Sequence, residues 1–461
     1  SGASSFNKDI NTFINQYTYK SSWDVSNGTN FSGMFSGASS FNQDIGNWNV
    51  SKGTNFSEMF SSTRAFNKNL SSWDVSSGTD FSYMFYNSIF NEDIANWNLS
   101  SGTNFSHMFY NNGSFNQDIG NWNVSSANNF SSMFHWAINF NQDIGNWDVS
   151  SVTDFNYMFA GLENFNHDIG NWDVSNGTNF SAMFYKTENF NQDIGNWDVS
   201  NGSNFHIMFA DANSFNQNIG NWNVSNGTNF SGMLSATAFN QDISDWDVSN
   251  GVSFRDMFHD ATNFNKDISN WNVSSGFYFI NMFRNASSFD QNLSIWDVSN
   301  GNDFSYMFTD SLASTNQGIP NIPNISYFDA TTGDDIITGT ADIDDSLRGH
   351  DGNDTLTGLG GNDTLFGDGG NDNLNGRSGN DTLYGGTEDD TLGGGTGDDD
   401  LFGESGNDVL YGGSGVDKLA GDAGNDHLEA GEGVDQLYGG DGNDALLGNA
   451  GNDRIAGENG V

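Results

Sequence analysis

The chain has 461 residues with 59 acidic and 13 basic side chains, a formal net charge of −46 at pH 7. This charge excludes nucleic acid and anionic lipid as primary partners and makes a cation the natural one. Cysteine is absent, which excludes disulfides and thiol chemistry, and no run of roughly 18 apolar residues occurs, so we predict no membrane span.

Both ends of the chain fall inside repeating segments. SGASSFN at residues 1–7 recurs at 36–42, and the last residues stop within another repeat. The start also lacks the basic and apolar regions of a signal peptide. We therefore expect a piece of a longer protein, with any secretion signal or anchor outside it.

Tryptophan recurs with a period of 25 residues through the first two thirds of the chain. With two single-residue deletions, it occupies positions 23, 48, 73, 97, 122, 147, 172, 197, 222, 246, 271 and 296. Every one of the 12 methionines follows a tryptophan by 11 residues. Self-similarity at this period predicts stacked coils that bury a continuous aromatic core. We assign residues 1–310 to this first solenoid and expect the insertion at residues 11–20 to form a surface loop.

Within one unit the hydrophobic spacing predicts a short strand and a short helix. Trp48 and Val50 alternate with polar residues, which is typical of a strand. Phe31, Phe35 and their apolar neighbours Met34 and Ala38 follow the i, i+3, i+4, i+7 spacing of one helix face. The preceding Asn-Gly dipeptide predicts a turn, and Thr29 or Asn30 is expected to cap the helix.

The unit WDVSNGTNFSGMFSGASSFNQDI resembles the 25-residue repeat of BspA-like surface proteins, which are related to leucine-rich repeats. The resemblance covers about two thirds of the chain. It implies an extracellular protein of adhesive or structural type and brings no catalytic residues with it. One departure is that Gly28 to Phe31 reads Gly-Thr-Asn-Phe where the family usually has Val-Thr-(Asp/Asn)-Met.

Positions that vary between units suggest a possible interaction face. The residues before methionine and after Met-Phe must face solvent to tolerate such variety, and exposed aromatic residues often anchor contacts. The alternative is unselected variation at solvent-exposed positions. The candidate residues are Tyr83, Tyr86, Tyr110, His135, Trp136, Tyr157, Tyr185 and Tyr306.

Two further columns are polar. An asparagine column that begins at Asn42, Asn67 and Asn91 is expected to satisfy backbone groups through stacked amides. An aspartate column that includes Asp44 and Asp93 brings like charges close together. These carboxylates are either solvated or share a divalent ion.

Residues 311–330 are predicted to link two domains. Both prolines of the chain, Pro320 and Pro323, lie here, after the 25-residue period stops and before the next period begins. Proline stiffens such a connection.

From Leu347 to Ile455 an aliphatic residue recurs every nine positions, and an aspartate precedes each of them by two. Glycines at the first and fourth positions are expected to allow positive φ, so that carbonyl oxygens turn inward. Ca²⁺ takes six to eight oxygen ligands, and neighbouring turns can supply carboxylate and carbonyl oxygens together. The predicted metal ligands are Asp345, Asp354, Asp363, Asp372, Asp381, Asp390, Asp399, Asp408, Asp417, Asp426, Asp435, Asp444 and Asp453.

The segment Gly358 to Leu365 resembles the RTX nonapeptide, G-G-x-G-x-D-x-U-x. The resemblance implies that residues 331–461 form a parallel β-roll with two nonapeptides per coil and multiple Ca²⁺ ions along both edges. It also implies type I secretion, with folding outside the cell where calcium is high. Residues 331–461 hold 29 acidic and 4 basic side chains, and this excess supports disorder without metal.

Three units depart from the nonapeptide pattern, which weakens the prediction of an ion at each. Ile343 replaces the glycine near Asp345, Ala430 replaces the first-position glycine near Asp435, and Glu388 replaces the fourth-position glycine near Asp390. Asp335 is one residue out of step with the series. We expect it in an irregular starting coil.

The sequence contains no catalytic motif that we can identify. His-Glu-x-x-His, Gly-x-Ser-x-Gly and a phosphate-binding loop are absent, and the seven histidines are scattered among columns. We therefore expect a non-catalytic, calcium-dependent extracellular or cell-surface protein such as a surface-layer, fibre or envelope component, which contacts further copies of itself or the cell envelope. The alternatives are an adhesin for a glycan or another cell-surface ligand, and a fragment of an RTX-secreted enzyme or toxin whose active domain lies outside this chain.

Overall fold

The computed structural model describes residues 23–293, 295–309, 311, 328–329, 333–339 and 344–457. Two compact units are present, Ser1–Asp247 and Val248–Val461. The first consists of 25-residue coils, and the second contains the last of these coils together with the nonapeptide repeats. The insertion at residues 11–20 and the two prolines lie outside the described residues.

The segment predicted as a helix is instead a run of tight turns, and the described residues contain no helix. The N–H groups of Phe31 and Phe35 donate to the carbonyl oxygens of Asn55 and Met59 in the next coil, at 2.8 and 3.0 Å. Gly33, between them, has a φ of +62°. A left-handed residue at this point ends any helix, so the helix prediction was wrong in backbone conformation.

The helical spacing nevertheless identified the buried side chains of a complete coil. In the second described coil Phe56, Met59 and Phe60 are all fully buried. In these turns every second N–H group donates to a carbonyl oxygen of the next coil. The turns therefore direct the same side chains into the core as a helix would. Asn30 also accepts the N–H of Ser32 at 2.9 Å, so it caps the turn that replaces the helix.

The strand predicted around Trp48 and Val50 was likewise wrong, although both side chains are buried. Parallel pairing between coils is reduced to single bridges in another column. In the first unit these run from Asn30↔Asn55 to Asn204↔Asn229, and in the second they join Ser253, Tyr278 and Asp303. The predicted turn ahead of this column is confirmed by the N–H of Gly28, which donates to the carbonyl oxygen of Val25 at 2.8 Å.

The core of each coil consists of aromatic side chains stacked on those of its neighbours. Phe60 lies 4.3 Å from Phe66 within a coil and 5.6 Å from Phe85 in the next, measured between ring centroids. The indole N–H of Trp73 donates to the carbonyl oxygen of Ile45 at 3.1 Å, across the coil boundary. The predicted aromatic column is therefore confirmed, and the indole N–H of Trp73 is satisfied within it.

Side chains of both polar columns accept hydrogen bonds from backbone N–H groups. The N–H groups of Asn91 and Asn116 donate to the side-chain oxygens of Asn67 and Asn91, at 2.8 and 2.9 Å. The asparagine column therefore does satisfy backbone groups between coils. In the aspartate column, Asp44 is exposed and accepts the N–H of Gly46 at 3.0 Å.

The nonapeptide repeats form a parallel β-solenoid of about six turns, as predicted. Its strands are β1 (Phe328–Asp329), β2 (Ile336–Thr338), β3 (Ser346–Asp351), β4 (Thr355–Gly360), β5 (Thr364–Gly369), β6 (Asn373–Ser378), β7 (Thr382–Thr387), β8 (Thr391–Thr396), β9 (Asp400–Ser405), β10 (Val409–Gly415), β11 (Lys418–Ala420), β12 (His427–Gly433), β13 (Gln436–Tyr438), β14 (Ala445–Leu447) and β15 (Arg454–Ala456).

Odd-numbered strands form one sheet and even-numbered strands the other, which we call the odd sheet and the even sheet. The register is 18 residues in almost every pair, as in Leu365↔Leu383, so one coil holds two nonapeptides. Leu365, Leu374 and Leu383 are almost fully buried between the sheets. The turns at both edges place the regularly spaced aspartates next to this thin core, where most of them are buried.

Candidate metal sites at the edges of the roll

The predicted ligands form two rows, one along each edge of the roll. Within a row, the backbone N–H of each aspartate donates to Oδ1 of the aspartate in the next coil, over 2.7 to 3.1 Å. The first row contains Asp345, Asp363, Asp381, Asp399, Asp417, Asp435 and Asp453. The second contains Asp354, Asp372, Asp390, Asp408, Asp426 and Asp444, preceded by Asp335.

The second carboxylate oxygen is left without a protein partner along most of both rows. Burial of a polar oxygen without a hydrogen bond is costly, and burial of an unpaired charge costs more. Oδ2 is buried and makes no hydrogen bond to any part of the chain that the structure describes at Asp354, Asp363, Asp372, Asp381, Asp390, Asp399, Asp408, Asp417, Asp426, Asp435 and Asp444.

The first-position glycines leave space for these oxygens. A Cβ on Gly367 would lie 2.3 Å from Oδ2 of Asp372 and 2.4 Å from the carbonyl oxygen of Gly385 in the next coil. A carboxylate and a carbonyl oxygen thus converge in front of a residue that has no side chain. Such an oxygen-lined niche fits a hard cation such as Ca²⁺.

The glycine explanation offered from the sequence needs a correction. No first-position glycine has its φ in the left-handed region, and these positions require glycine for space. The prediction for the fourth position is confirmed, as at Gly370 (+115°), and positive φ also occurs at the second position, as at Asp368 (+72°). Non-glycine residues at the second position carry that conformation, a feature for which the nonapeptide pattern gave no signal.

The electrostatic environment of the buried aspartates also favours binding of a cation. Burial, together with the neighbouring carboxylates of the row, raises the pKa of Asp354 and Asp390 to about 8 and that of Asp399 to about 7, from an ordinary 3.8. Among the described residues no three His, Cys, Asp or Glu side chains are grouped closely enough to hold a metal. Carboxylates from adjacent coils would therefore act with backbone carbonyl oxygens.

The three units that depart from the nonapeptide pattern differ in how the replaced glycine affects the neighbouring aspartate. Glu388 adopts a φ of +71° and accepts the N–H of Gly370 at 3.1 Å, and Asp390 keeps the same hydrogen bond as its neighbours. Ala430 introduces a methyl group at a position where the other units leave space beside the aspartate, so a weaker site at Asp435 remains our prediction. Ile343 lies outside the described residues.

Asp335, which was not among the predicted ligands, belongs to the second row. It is buried, and its N–H donates to Oδ1 of Asp354 at 2.7 Å. The two residues are 19 positions apart instead of 18, which hid Asp335 from a search with a strict nine-residue period. The Asp-x-Ile pattern of Asp335 to Ile337 was the available signal.

Six of the eight residues predicted as an interaction face lie together in the first unit. With His107 they form the aromatic cluster: Tyr83, Tyr86, His107, Tyr110, His135, Trp136 and Tyr157. Tyr185 instead contacts Lys186, and Tyr306, in the second unit, contacts Arg284. All members of the cluster are half-buried, and burial lowers the pKa of His135 to about 4.

The faces of the rings in the aromatic cluster are largely covered by one another. Tyr83 stacks on His107 at 4.3 Å and Tyr86 on Tyr110 at 5.1 Å, between ring centroids. A Cβ on Gly161 would lie 2.3 Å from Trp136, so this indole packs against the glycine backbone. Stacking therefore covers part of the ring surface within the cluster.

Acidification is expected to stabilise the roll when calcium is absent. Because the folded-state pKa of Asp354, Asp390 and Asp399 is raised, the folded roll binds more protons than the unfolded chain between about pH 8 and pH 4. Stability in chelator should therefore rise as pH falls through this window. Circular dichroism at pH 8 and pH 5.5 in chelator tests it, with saturating calcium as the control. A calcium-free roll that is less ordered at pH 5.5 would contradict the expectation.

Comparisons with known proteins agree with the two kinds of repeat. The family described as "Mycoplasma protein of unknown function, DUF285" matches residues 1–92, 87–167, 136–238 and 233–322. The family described as "RTX calcium-binding nonapeptide repeat (4 copies)" matches residues 329–365, 341–374, 357–392, 366–401, 375–410, 393–428, 411–446 and 429–461. No curated protein and no solved structure matches the chain.

Proposed function

Because the chain belongs to the DUF285 family of BspA-like surface repeats and ends in RTX calcium-binding repeats, we propose that it is a non-catalytic structural protein of the cell envelope. In this proposal calcium folds the roll, and the repeated surfaces assemble copies of the chain into a layer or fibre. Calcium binding follows from the RTX repeats, which are typical of secreted, extracellular proteins. The described residues include no helix able to cross a bilayer.

The observation that carries the proposal is the repetition of one surface from coil to coil. Asp118, Asp143 and Asp168 lie exposed in the same column, and each is held by the N–H of the residue two positions later, at 2.9 to 3.0 Å. A surface that repeats at the coil spacing presents many equivalent contacts to a neighbouring molecule. This arrangement suits lateral assembly more than recognition of one small ligand.

The aromatic cluster supports this choice over an adhesin for sugars. A sugar ring packs its C–H groups against the face of an aromatic ring, whose π-system carries the negative potential. In the cluster, stacking with neighbouring rings occupies several of these faces. The stacked rings thus contribute to cohesion between coils of the first unit.

The test is assembly of the full chain with and without calcium. We expect ordered layers or fibres by electron microscopy, and concentration-dependent sedimentation, in millimolar calcium but not in excess chelator. Magnesium at the same ionic strength is the control, because it dehydrates reluctantly and demands a stricter geometry. A chain that stays monomeric in calcium at every concentration would contradict the proposed function.

A further inference from the structure

The few cations of the roll are concentrated on one surface. The roll has four basic side chains, Arg348, Arg377, Lys418 and Arg454. All except Arg377 extend from strands of the odd sheet, on the face that alternates with the buried leucines. Each of those three lies beside an aromatic ring of the same face, within 4.7 to 5.9 Å of its centroid.

Rings and cations alternate along the last strands of this face. Nζ of Lys418 is 4.7 Å from the centroid of Phe402, and Cζ of Arg454 is 5.9 Å from that of Tyr438. Ala420 pairs with Phe402 on one side and with Tyr438 on the other, so β9, β11, β13 and β15 are consecutive neighbours. We call Phe402, Lys418, Tyr438 and Arg454 the cation strip.

The two cations of the strip form no ion pair with any residue that the structure describes. Arg348 pairs with Asp368, whereas neither Lys418 nor Arg454 forms an ion pair within the described part of the chain. This is unexpected in a chain with 59 acidic and 13 basic side chains. The aromatic rings hold both cations through cation–π contacts. Asp400 lies opposite Lys418 in the register of β9 and β11 without forming an ion pair with it, so both cations can meet an anionic partner.

The spacing of the strip matches that of the exposed aspartate column in the first unit. Lys418 and Arg454 lie two coils apart, which is roughly 10 Å at the strand separation of a β-sheet. Carboxylates from alternate 25-residue coils, such as Asp118 and Asp168, are also two stacking steps apart. A second copy of the chain therefore presents carboxylates whose separation, two stacking steps, matches the separation of Lys418 and Arg454.

We propose that the cation strip docks on the exposed aspartate column of a second copy of this chain. The proposal rests on the assembly function above and names the contact that produces it. Because the strip spans four strands of the roll, it exists only when the roll is folded. Calcium would thus control assembly by arraying Lys418 and Arg454 at the correct spacing, since each directly follows a predicted ligand, Asp417 or Asp453.

The test measures self-association of the full chain in saturating calcium by analytical ultracentrifugation. K418Q and R454Q should each weaken association roughly two- to fivefold, as expected for an exposed ion pair, and the effect should diminish at high salt. R377Q is the matched control, since it removes the same charge from an exposed residue of the roll outside the strip. Circular dichroism in calcium checks that each variant folds.

The partner surface is tested with D118N, D143N and D168N combined. Natural Asn218 accepts the N–H of Gly220 at 2.9 Å in the same column, so asparagine preserves the local turn. Association should fall in this variant by a similar or larger factor than in K418Q. If calcium assembles the wild type but the strip or column variants assemble equally well, this inference is overturned while the proposed function stands. A wild type that never assembles overturns both.

Discussion

Excess chelator is expected to unfold residues 333–457 while the 25-residue coils keep their structure. Without metal, the two aspartate rows hold buried carboxylates whose Oδ2 atoms have no partner among the described residues, such as those of Asp372 and Asp381. Like charges one strand apart repel, and their desolvation is not offset. The described coils contain no such rows, because their core is aromatic and none of their described aspartates is buried.

The distribution of tryptophan allows the coils and the roll to be monitored separately. All 13 tryptophans lie between residues 23 and 296, and the roll contains none. Tryptophan emission therefore reports on the coils alone, whereas far-ultraviolet circular dichroism also reports the strands of the roll. Chelation should remove strand signal and leave the emission maximum unchanged, and added calcium should restore the strands.

Two controls separate metal binding from a general effect of charge. Sodium chloride screens surface repulsion and should not replace calcium, because the carboxylates are buried. D381N should raise the calcium concentration needed for folding, since it removes one charge from the middle of a row. Strands that persist in chelator at pH 8, or coils that unfold together with the roll, would contradict the prediction.

The sequence was sufficient to predict what repeats, because each residue meets its own counterpart in the next coil. The nine-residue spacing located Asp354 to Asp444 in two rows, and the 25-residue spacing located the phenylalanine columns. In both cases stacking converts a period in sequence into a line in space. Residues that break the period, such as Asp335, were correspondingly hard to assign.

Backbone conformation was harder to predict than side-chain burial. The spacing of Phe56, Met59 and Phe60 fits a helix, yet Glu58 between them has a φ of +57°. Nothing in glutamate favours that conformation. Hydrogen bonds to the next coil impose it, as the N–H of Glu58 donates to the carbonyl oxygen of Ser82 at 2.8 Å. Such bonds depend on stacking and are invisible within one repeat.

The second prediction with a large expected effect concerns the stability that the phenylalanine columns give the coils. F134A is expected to lower the unfolding free energy of the coils by about 3–5 kcal/mol. Phe134 is fully buried, with its ring centroid 4.0 Å from Phe140 in its own coil and 5.7 Å from Phe109 in the preceding coil. Alanine would leave a cavity that neighbouring rings, fixed by their own stacking, cannot fill. Because coils are stabilised by their neighbours, the loss should extend to both adjacent coils.

F134L is the matched variant, because the chain itself places a leucine in this column. Leu234, four coils later, is fully buried at the position equivalent to Phe134. Leucine retains most of the buried volume, so we expect a loss of roughly 1–2 kcal/mol. Urea unfolding in saturating calcium, followed by tryptophan fluorescence, measures both variants. Equal losses for alanine and leucine would show that ring stacking, and not filled volume, holds the column together, since only the ring is missing from both.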